Sequence, residues 1–208
     1  MTQKGLPLIF SAPSGTGKTT LREKLKQELP DIEFSVSHTT RPPRANEKDG
    51  VDYYFISKEA FLNMIDCDEF LEWAQIHDHY YGTSRTTTEK ILEMGKDLIL
   101  ELDVQGVESL RALKYQGVYI FILPPSMQEL EKRLTGRGTE SGEQVKKRLR
   151  VGEQEISKSH LYDYRVTNTN IDETVDTILA IIRAEKNRVD RYHTDCPEIR
   201  KLIESEPS

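Results

Sequence analysis

Lys18 and Thr19, placed directly behind Ala12-Pro-Ser-Gly-Thr-Gly17, are the residues of this chain whose types and spacing most clearly suit chemistry. Glycines at 15 and 17 let a backbone curl until several N–H groups face a single anion. In such a loop a lysine reaches the β- and γ-phosphates of a nucleotide, and a following hydroxyl sits on Mg²⁺. The spacing departs from G-x-x-x-x-G-K-[ST] at one position, where Ala12 stands in place of glycine; its methyl asks only for a compatible φ. A chance Gly-Lys-Thr in an ordinary strand–turn–helix is the competing reading. The flanks argue against it. Leu6 to Phe10 is an apolar run of strand length, and Leu21, Leu25 and Leu29 recur at helical spacing until Pro30 stops the helix.

Three further groups carry possible chemistry. Asp103 ends a strand expected beside the first one, where an acid supports a phosphate-bound metal, and Glu101 shares its face by period-two alternation. Arg41 and Arg44, with Tyr53 and Tyr81, offer bidentate forks and phenol donors to a phosphate, although arginines beside prolines alone also suit a solvated turn. Arg133, Arg137 and Arg148 lie in a charged, glycine-containing stretch that reads as an excursion over a sheet rather than as core. Beside a phosphate loop, arginines on a closing segment suit the charge of phosphoryl transfer. The five histidines show no metal spacing, and His77 and His79 read as solvated.

The elements that must hold these groups follow from periodicity. Runs at Leu6–Phe10, Phe34–Ser37, Asp97–Asp103, Val118–Leu123 and Tyr164–Thr167 alternate with helical patterns, which predicts a parallel sheet covered on both faces. Between them, Val51–Ile56, a capped helix from Ser57, Phe70–Ala74, Tyr80–Thr83 and a helix over about Thr86–Met94 form a mixed α+β insertion. Ser126-Met-Gln-Glu129 reads as a capping box. Ile171, Val175, Ile178, Leu179 and Ile182 give the last long helix its buried face, and the polar tail beyond Tyr192 is expected to be loosely ordered.

With 208 residues and a net charge of −6, the chain suits one α/β domain and not a dedicated nucleic-acid binder. Cys67 and Cys196 read as free thiols of a reducing compartment. Neither a signal peptide nor a membrane span is visible, so a cytoplasmic location is expected.

Ser11-Ala-Pro-Ser-Gly-Thr-Gly-Lys-Thr19, Phe34-Ser-Val-Ser-His-Thr-Thr-Arg-Pro-Pro-Arg44, Asp52-Tyr-Tyr-Phe55, Phe70-Leu-Glu-Trp-Ala74, Tyr80-Tyr-Gly-Thr83, Asp103-Val-Gln-Gly106 and Arg133-Leu-Thr-Gly-Arg-Gly-Thr139 together resemble, in this order, the guanylate kinases. The resemblance implies an α/β P-loop NTPase fold: a parallel five-stranded sheet with helices on both faces, plus a mixed α+β GMP-binding insertion and a helical lid. It divides the single domain 1–208 into a core (1–37, 94–125, 159–193), an insertion (38–93), a lid (126–158) and a polar tail (194–208). It implies transfer of the ATP γ-phosphate to GMP with Mg²⁺, giving ADP and GDP, in purine nucleotide metabolism. The partners would be these small molecules, not nucleic acid or membrane; dGMP acceptance and oligomeric state stay open.

Carried over by position, the ATP site would comprise Ala12, Pro13, Ser14, Gly15, Thr16, Gly17, Lys18, Thr19, Thr20, Arg137 and Asn168. The GMP site would comprise Ser37, Arg41, Arg44, Tyr53, Glu72, Tyr81, Thr83 and Asp103. Thr19 and Asp103 would serve the metal, and Lys18, Arg41, Asp103, Arg133, Arg137 and Arg148 the chemistry. Physical chemistry supports Glu72 as the base reader. Guanine presents N1–H and an exocyclic amine side by side, so one ionised carboxylate accepts both, whereas adenine N1 would repel it. Hydroxyls of Ser37 or Thr83 would then lie near O6. Two rivals remain: a guanylate-kinase-like binding module without catalysis, and a kinase for a phosphorylated ribose. The intact Gly17-Lys18-Thr19 counts against the first, and Glu72, Tyr81 and Thr83 against the second.

Overall fold

The computed structural model describes residues 4–76, 78–136, 142–192, 194 and 196–204. In chain order the elements are β1 (Pro7–Ser11), α1 (Lys18–Glu28), β2 (Glu33–Phe34), β3 (His38–Thr39), β4 (Tyr54–Phe55), α2 (Lys58–Asp66), β5 (Phe70–Ile76), β6 (His79–Ser84), α3 (Arg85–Glu93), β7 (Leu98–Glu101), α4 (Val104–Ala112), β8 (Val118–Leu123), α5 (Met127–Thr135), α6 (Gly142–Ser157), β9 (Tyr164–Thr167), α7 (Ile171–Lys186) and α8 (Pro197–Glu204). β2-β7-β1-β8-β9 form a five-stranded, wholly parallel sheet with β1 at its centre.

Period-two alternation sends one set of side chains to each face. Leu8, Phe10, Ile99, Ile120 and Ile122 pack with Leu21 and Leu25 of α1 and Val175, Ile178 and Ile182 of α7. Ile9, Leu98, Leu100, Tyr119 and Phe121 pack on the other face with Val107 and Leu110 of α4. Because both faces are covered, the central strands read as unbroken apolar runs. The register sets Phe10 beside Glu101, and the Leu102 N–H donates to the Phe10 carbonyl at 3.0 Å. The loops after β1 and β7 therefore leave the sheet side by side.

A second sheet, ordered β4-β3-β6-β5, is mixed: β3 and β4 are parallel, and β6 runs antiparallel to both β3 and β5. Its register slips between Phe70 and Glu72. The strands expected over Phe34–Ser37 and Val51–Ile56 are shorter than the sequence predicts. Asp52 accepts from the Lys48 N–H at 2.8 Å and Asp49 from the Phe55 N–H at 2.9 Å, so residues 48–52 close as a turn and the pairing with β3 is confined to Tyr54–Phe55. The first of these strands stops at Phe34, where the chain leaves β7 for β3.

Helix starts follow their caps. Ser57, Ser84, Asp103, Ser126 and Asn170 each accept a backbone N–H of the first turn. The expected capping box is half formed, since Glu129 turns its carboxylate to Arg133 at 2.9 Å instead of back to Ser126. The stretch read as an excursion rather than core carries a small core of its own: Leu130, Leu134 and Val145 are buried together, with Met127 and Leu149 against them. Five apolar side chains at helical spacing on α5 and α6 suffice for that, and charge density along the segment hides them. Within the tail, 197–204 forms α8, whose Ile199, Leu202 and Ile203 are exposed. Among the described residues no helix is long and apolar enough to cross a membrane.

Candidate active site

The loop after β1 is built around two left-handed glycines, Gly15 with φ 93° and Gly17 with φ 101°. Gly15 is also held by space: a Cβ there would lie 2.9 Å from Leu134 Cδ2. Lys18 curls back so that Nζ donates to the Ala12 carbonyl at 2.9 Å, and the Thr16 N–H donates to the Pro13 carbonyl at 3.2 Å. α1 begins at Lys18 without a side-chain cap, which leaves first-turn N–H groups turned toward the loop's mouth. Asn168, only 6% exposed, supports the loop from beneath: its amide donates to the Thr16 carbonyl at 2.7 Å while accepting from Thr174 Oγ1 at 3.1 Å. Both ends of the amide are thus engaged in holding the loop's shape. From above, Arg133 donates to the same Thr16 carbonyl at 3.3 Å and Arg148 to Ser14 Oγ. Arg137 lies outside the described residues.

Across the cleft, the strand irregularity before Glu72 sets that carboxylate inward, where it is 7% exposed. Thr83 donates to Glu72 Oε1 at 2.6 Å, and Oε2 sits so close to Gly106 that a Cβ there would approach it to 2.6 Å. Burial raises the Glu72 carboxyl to about 7; the Thr83 hydrogen bond opposes this, and the nearby Asp103 charge adds to it. Asp103 caps α4 through the Gly106 N–H at 2.8 Å, and burial pushes its carboxyl upward against the pull of that hydrogen bond and of Lys18. Thr83 thus orients the Glu72 carboxylate through its hydroxyl. Trp73, 42% exposed, packs near Tyr80 and takes no part in the Glu72 pocket.

The arginines and tyrosines gather as a third group. Arg41 lies 5.5 Å from the Tyr53 ring and 5.8 Å from Phe55, and Tyr53 meets Tyr81 edge-on at 6.0 Å. Glu47, which sequence reasoning did not single out, pairs with Arg41 at 2.8 Å. Its only sequence signal is an acid six residues after Arg41, in a polar turn beside Lys48 and Asp49.

A cleft of about 690 Å³ joins all three groups; Ser14, Gly17, Lys18, Thr19, Thr20, Ser37, Arg44, Tyr53, Glu72, Tyr81 and Asp103 line it. Glu155 of α6 lines it too, a third carboxylate raised by burial, near Lys18 and Asp103. Sequence reasoning missed it, since a single acid on a charged helix gives no signal. Arg41 and Thr83 are not lining residues; Arg41 pairs with Glu47 and lies by Tyr53, and Thr83 bonds Glu72, all three of which line it. Among the described residues no three His, Cys, Asp or Glu side chains converge on a metal position. The Thr19 hydroxyl and Asp103 carboxylate are hard oxygen donors on the cleft wall and fit Mg²⁺ that keeps waters and is shared with phosphates.

Comparison with known proteins matches residues 4–185 to the family model described as guanylate kinase. The guanylate kinase of Caldanaerobacter subterraneus subsp. tengcongensis is 48% identical over 91% of this chain and 92% of its own length. That of Clostridioides difficile is 46% identical over 91% and 93%. The crystal structure of guanylate kinase from Anaplasma phagocytophilum superposes with a TM-score of 0.77 at 36% identity, covering 98% of this chain and 96% of that one.

Proposed function

This chain belongs to the guanylate kinase family and is an ATP:GMP phosphotransferase, and we propose that the cleft between its two sheets is where the transfer occurs. The observation that carries the assignment of roles is the buried Glu72 carboxylate sharing one cleft with the Lys18 loop. In this reading the ATP phosphates lie along residues 12–20, with Asn168 and Arg137 on the nucleotide side. GMP enters between Ser37, Glu72, Thr83 and Asp103 at its base, and Arg41, Arg44, Tyr53 and Tyr81 at its phosphate. The division into core (1–37, 94–125, 159–193), insertion (38–93), lid (126–158) and tail (194–208) follows from those roles.

The chemistry asks little covalent work of the protein. The GMP phosphate oxygen is already anionic, so no general base is needed, and the task is to align two anions and neutralise charge. Lys18 lies where charge builds on the β–γ bridge, and Arg41, Arg133, Arg137 and Arg148 compensate the phosphoryl group between donor and acceptor. Asp103 orients the acceptor side. Mg²⁺, held by Thr19 and Asp103, would supply further charge neutralisation on the ATP phosphates. A cytoplasmic setting suits free nucleotides and two exposed thiols, Cys67 and Cys196.

A coupled assay of ADP release with GMP, AMP, CMP, UMP and ribose phosphates tests the reading. Turnover with GMP far above the rest is expected. Turnover with a ribose phosphate, or ADP release indifferent to the base, would overturn the assignment of Glu72.

A further inference from the structure

We infer that Glu47 is a positioning residue of the acceptor-phosphate clamp: it fixes the Arg41 guanidinium and the Arg44 backbone in their receiving arrangement before the acceptor binds. The inference rests on the clamp reading above and extends it to a residue with no assigned role.

Glu47 divides its two oxygens between the two clamp arginines. Oε1 accepts from Arg41 Nη2 at 2.8 Å, and Oε2 accepts from the Arg44 N–H at 2.7 Å. The turn closes on itself, with the Glu47 N–H donating to the Arg44 carbonyl at 3.0 Å. This is not a solvated surface pair, since the two side chains are only 13% and 17% exposed. Arg41 Nη1 is tied separately to the Pro42 carbonyl at 2.7 Å, and the guanidinium plane rests near Tyr53 and Phe55. A guanidinium carries five N–H donors, so these two bonds fix its orientation and leave others for an incoming oxoanion. Holding the arginine in place beforehand removes an ordering cost from binding.

A carboxylate this near the clamp also acts in the opposite sense, since it offsets the Arg41 charge that would attract a phosphate. Geometry favours positioning. An electrostatic competitor would need only to face Arg41, whereas Glu47 also secures the Arg44 main chain, and Arg44 presents its own side chain to the cleft. Glu47 also lines the cleft and feels the Arg44 charge, but it bonds the Arg44 main chain, so the phosphate keeps a cationic side chain in Arg44 besides Arg41.

The measurements are calorimetric binding of GMP, the inhibition constant of guanosine, and steady-state kinetics, in the parent, Glu47→Ala and Glu47→Gln. Glu47→Ala should weaken GMP about tenfold, the scale of one lost charge-assisted hydrogen bond, and raise KM by a larger factor than it lowers kcat. Guanosine inhibition should stay unchanged, because guanosine lacks the phosphate. Glu47→Gln keeps one acceptor oxygen and should fall between, and it carries the test if the alanine variant does not fold. Equal or tighter GMP binding in both variants, or an equal loss for guanosine, would overturn the inference. Failure of the parent to prefer GMP over guanosine would instead overturn the clamp itself.

Discussion

Guanine reading at Glu72 binds function and stability to one proton. Burial sets the carboxyl near 7 in the ligand-free protein, while guanine's paired donors need the ionised form. kcat/KM for GMP should therefore rise with pH through about 7, and that rise should vanish in Glu72→Gln. At pH 8 the glutamine variant should lose roughly 30- to 1000-fold in kcat/KM for GMP, with selectivity against AMP reduced, since glutamine offers a donor to adenine N1. Stability moves the other way. The folded carboxyl titrates above its unfolded value of 4.5, so between the two the native state holds a proton that the unfolded chain has released. Stability is thus lost as pH rises toward 7, and the whole cost of the buried charge stands above it. Glu72→Gln should leave Tm nearly unchanged at pH 4 and raise it at pH 8, with a ceiling of about 3 kcal/mol. A Tm difference independent of pH would place the buried charge elsewhere. Lys18 makes a simpler case: Lys18→Ala should lower kcat by orders of magnitude in a chain that still folds, because its ammonium counts most where transition-state charge develops. A folded variant with near-parental turnover would remove the loop from the chemistry.

At the scale of elements, the phosphate loop is shaped from both sides, by Asn168 beneath and by α5 above. Leu134 fills the space that Gly15 leaves, and belongs to the small core formed with Leu130 and Val145. α5 and α6 therefore rest on few apolar contacts, which places them at the easily opened end of the molecule. Amide exchange over Met127–Thr135 and Gly142–Ser157 should slow when ADP, GMP and Mg²⁺ are present together, as the arginines of this segment gain phosphates. Exchange that ignores the ligands would refute a closing role. Leu134→Ala should cost about 2–5 kcal/mol locally. It should speed exchange in those two helices while leaving β1, β7 and β8 protected; loss of protection throughout would mean that the lid core and the main core unfold as one.

The whole molecule is two sheets meeting at a cleft, with Glu72 of the second sheet against Gly106 of α4 on the first. Ligands that bind from opposite sides of such a cleft stabilise each other if closure is shared. GMP alone at 100 times its Kd should add about 2.7 kcal/mol, a Tm rise of roughly 5–10 °C for a chain of this size. GMP with ADP and Mg²⁺ should raise Tm by more than the two separate shifts combined. Additive shifts would mean that the sites fill independently.

Much of this was determined by the sequence alone. Apolar runs at Leu6–Phe10 and Val118–Leu123 mark covered parallel strands, and Gly15, Gly17, Lys18 and Thr19 mark the phosphate loop, because both signals are local. Serine caps at Ser57 and Ser126 announce helix starts for the same reason. What the sequence leaves open depends on long-range contacts. Asn168 reaches Thr16 from 152 positions away, and Thr83 spends its hydroxyl on Glu72 only because β5 and β6 pair in that register. Glu47 and Glu155 look like two acids among many until folding brings them against Arg41 and into the cleft. A side chain's role is local when its partners are its neighbours in sequence. It becomes tertiary when burial selects one partner from many chemically equal ones, and the charged residues of this cleft are of that second kind.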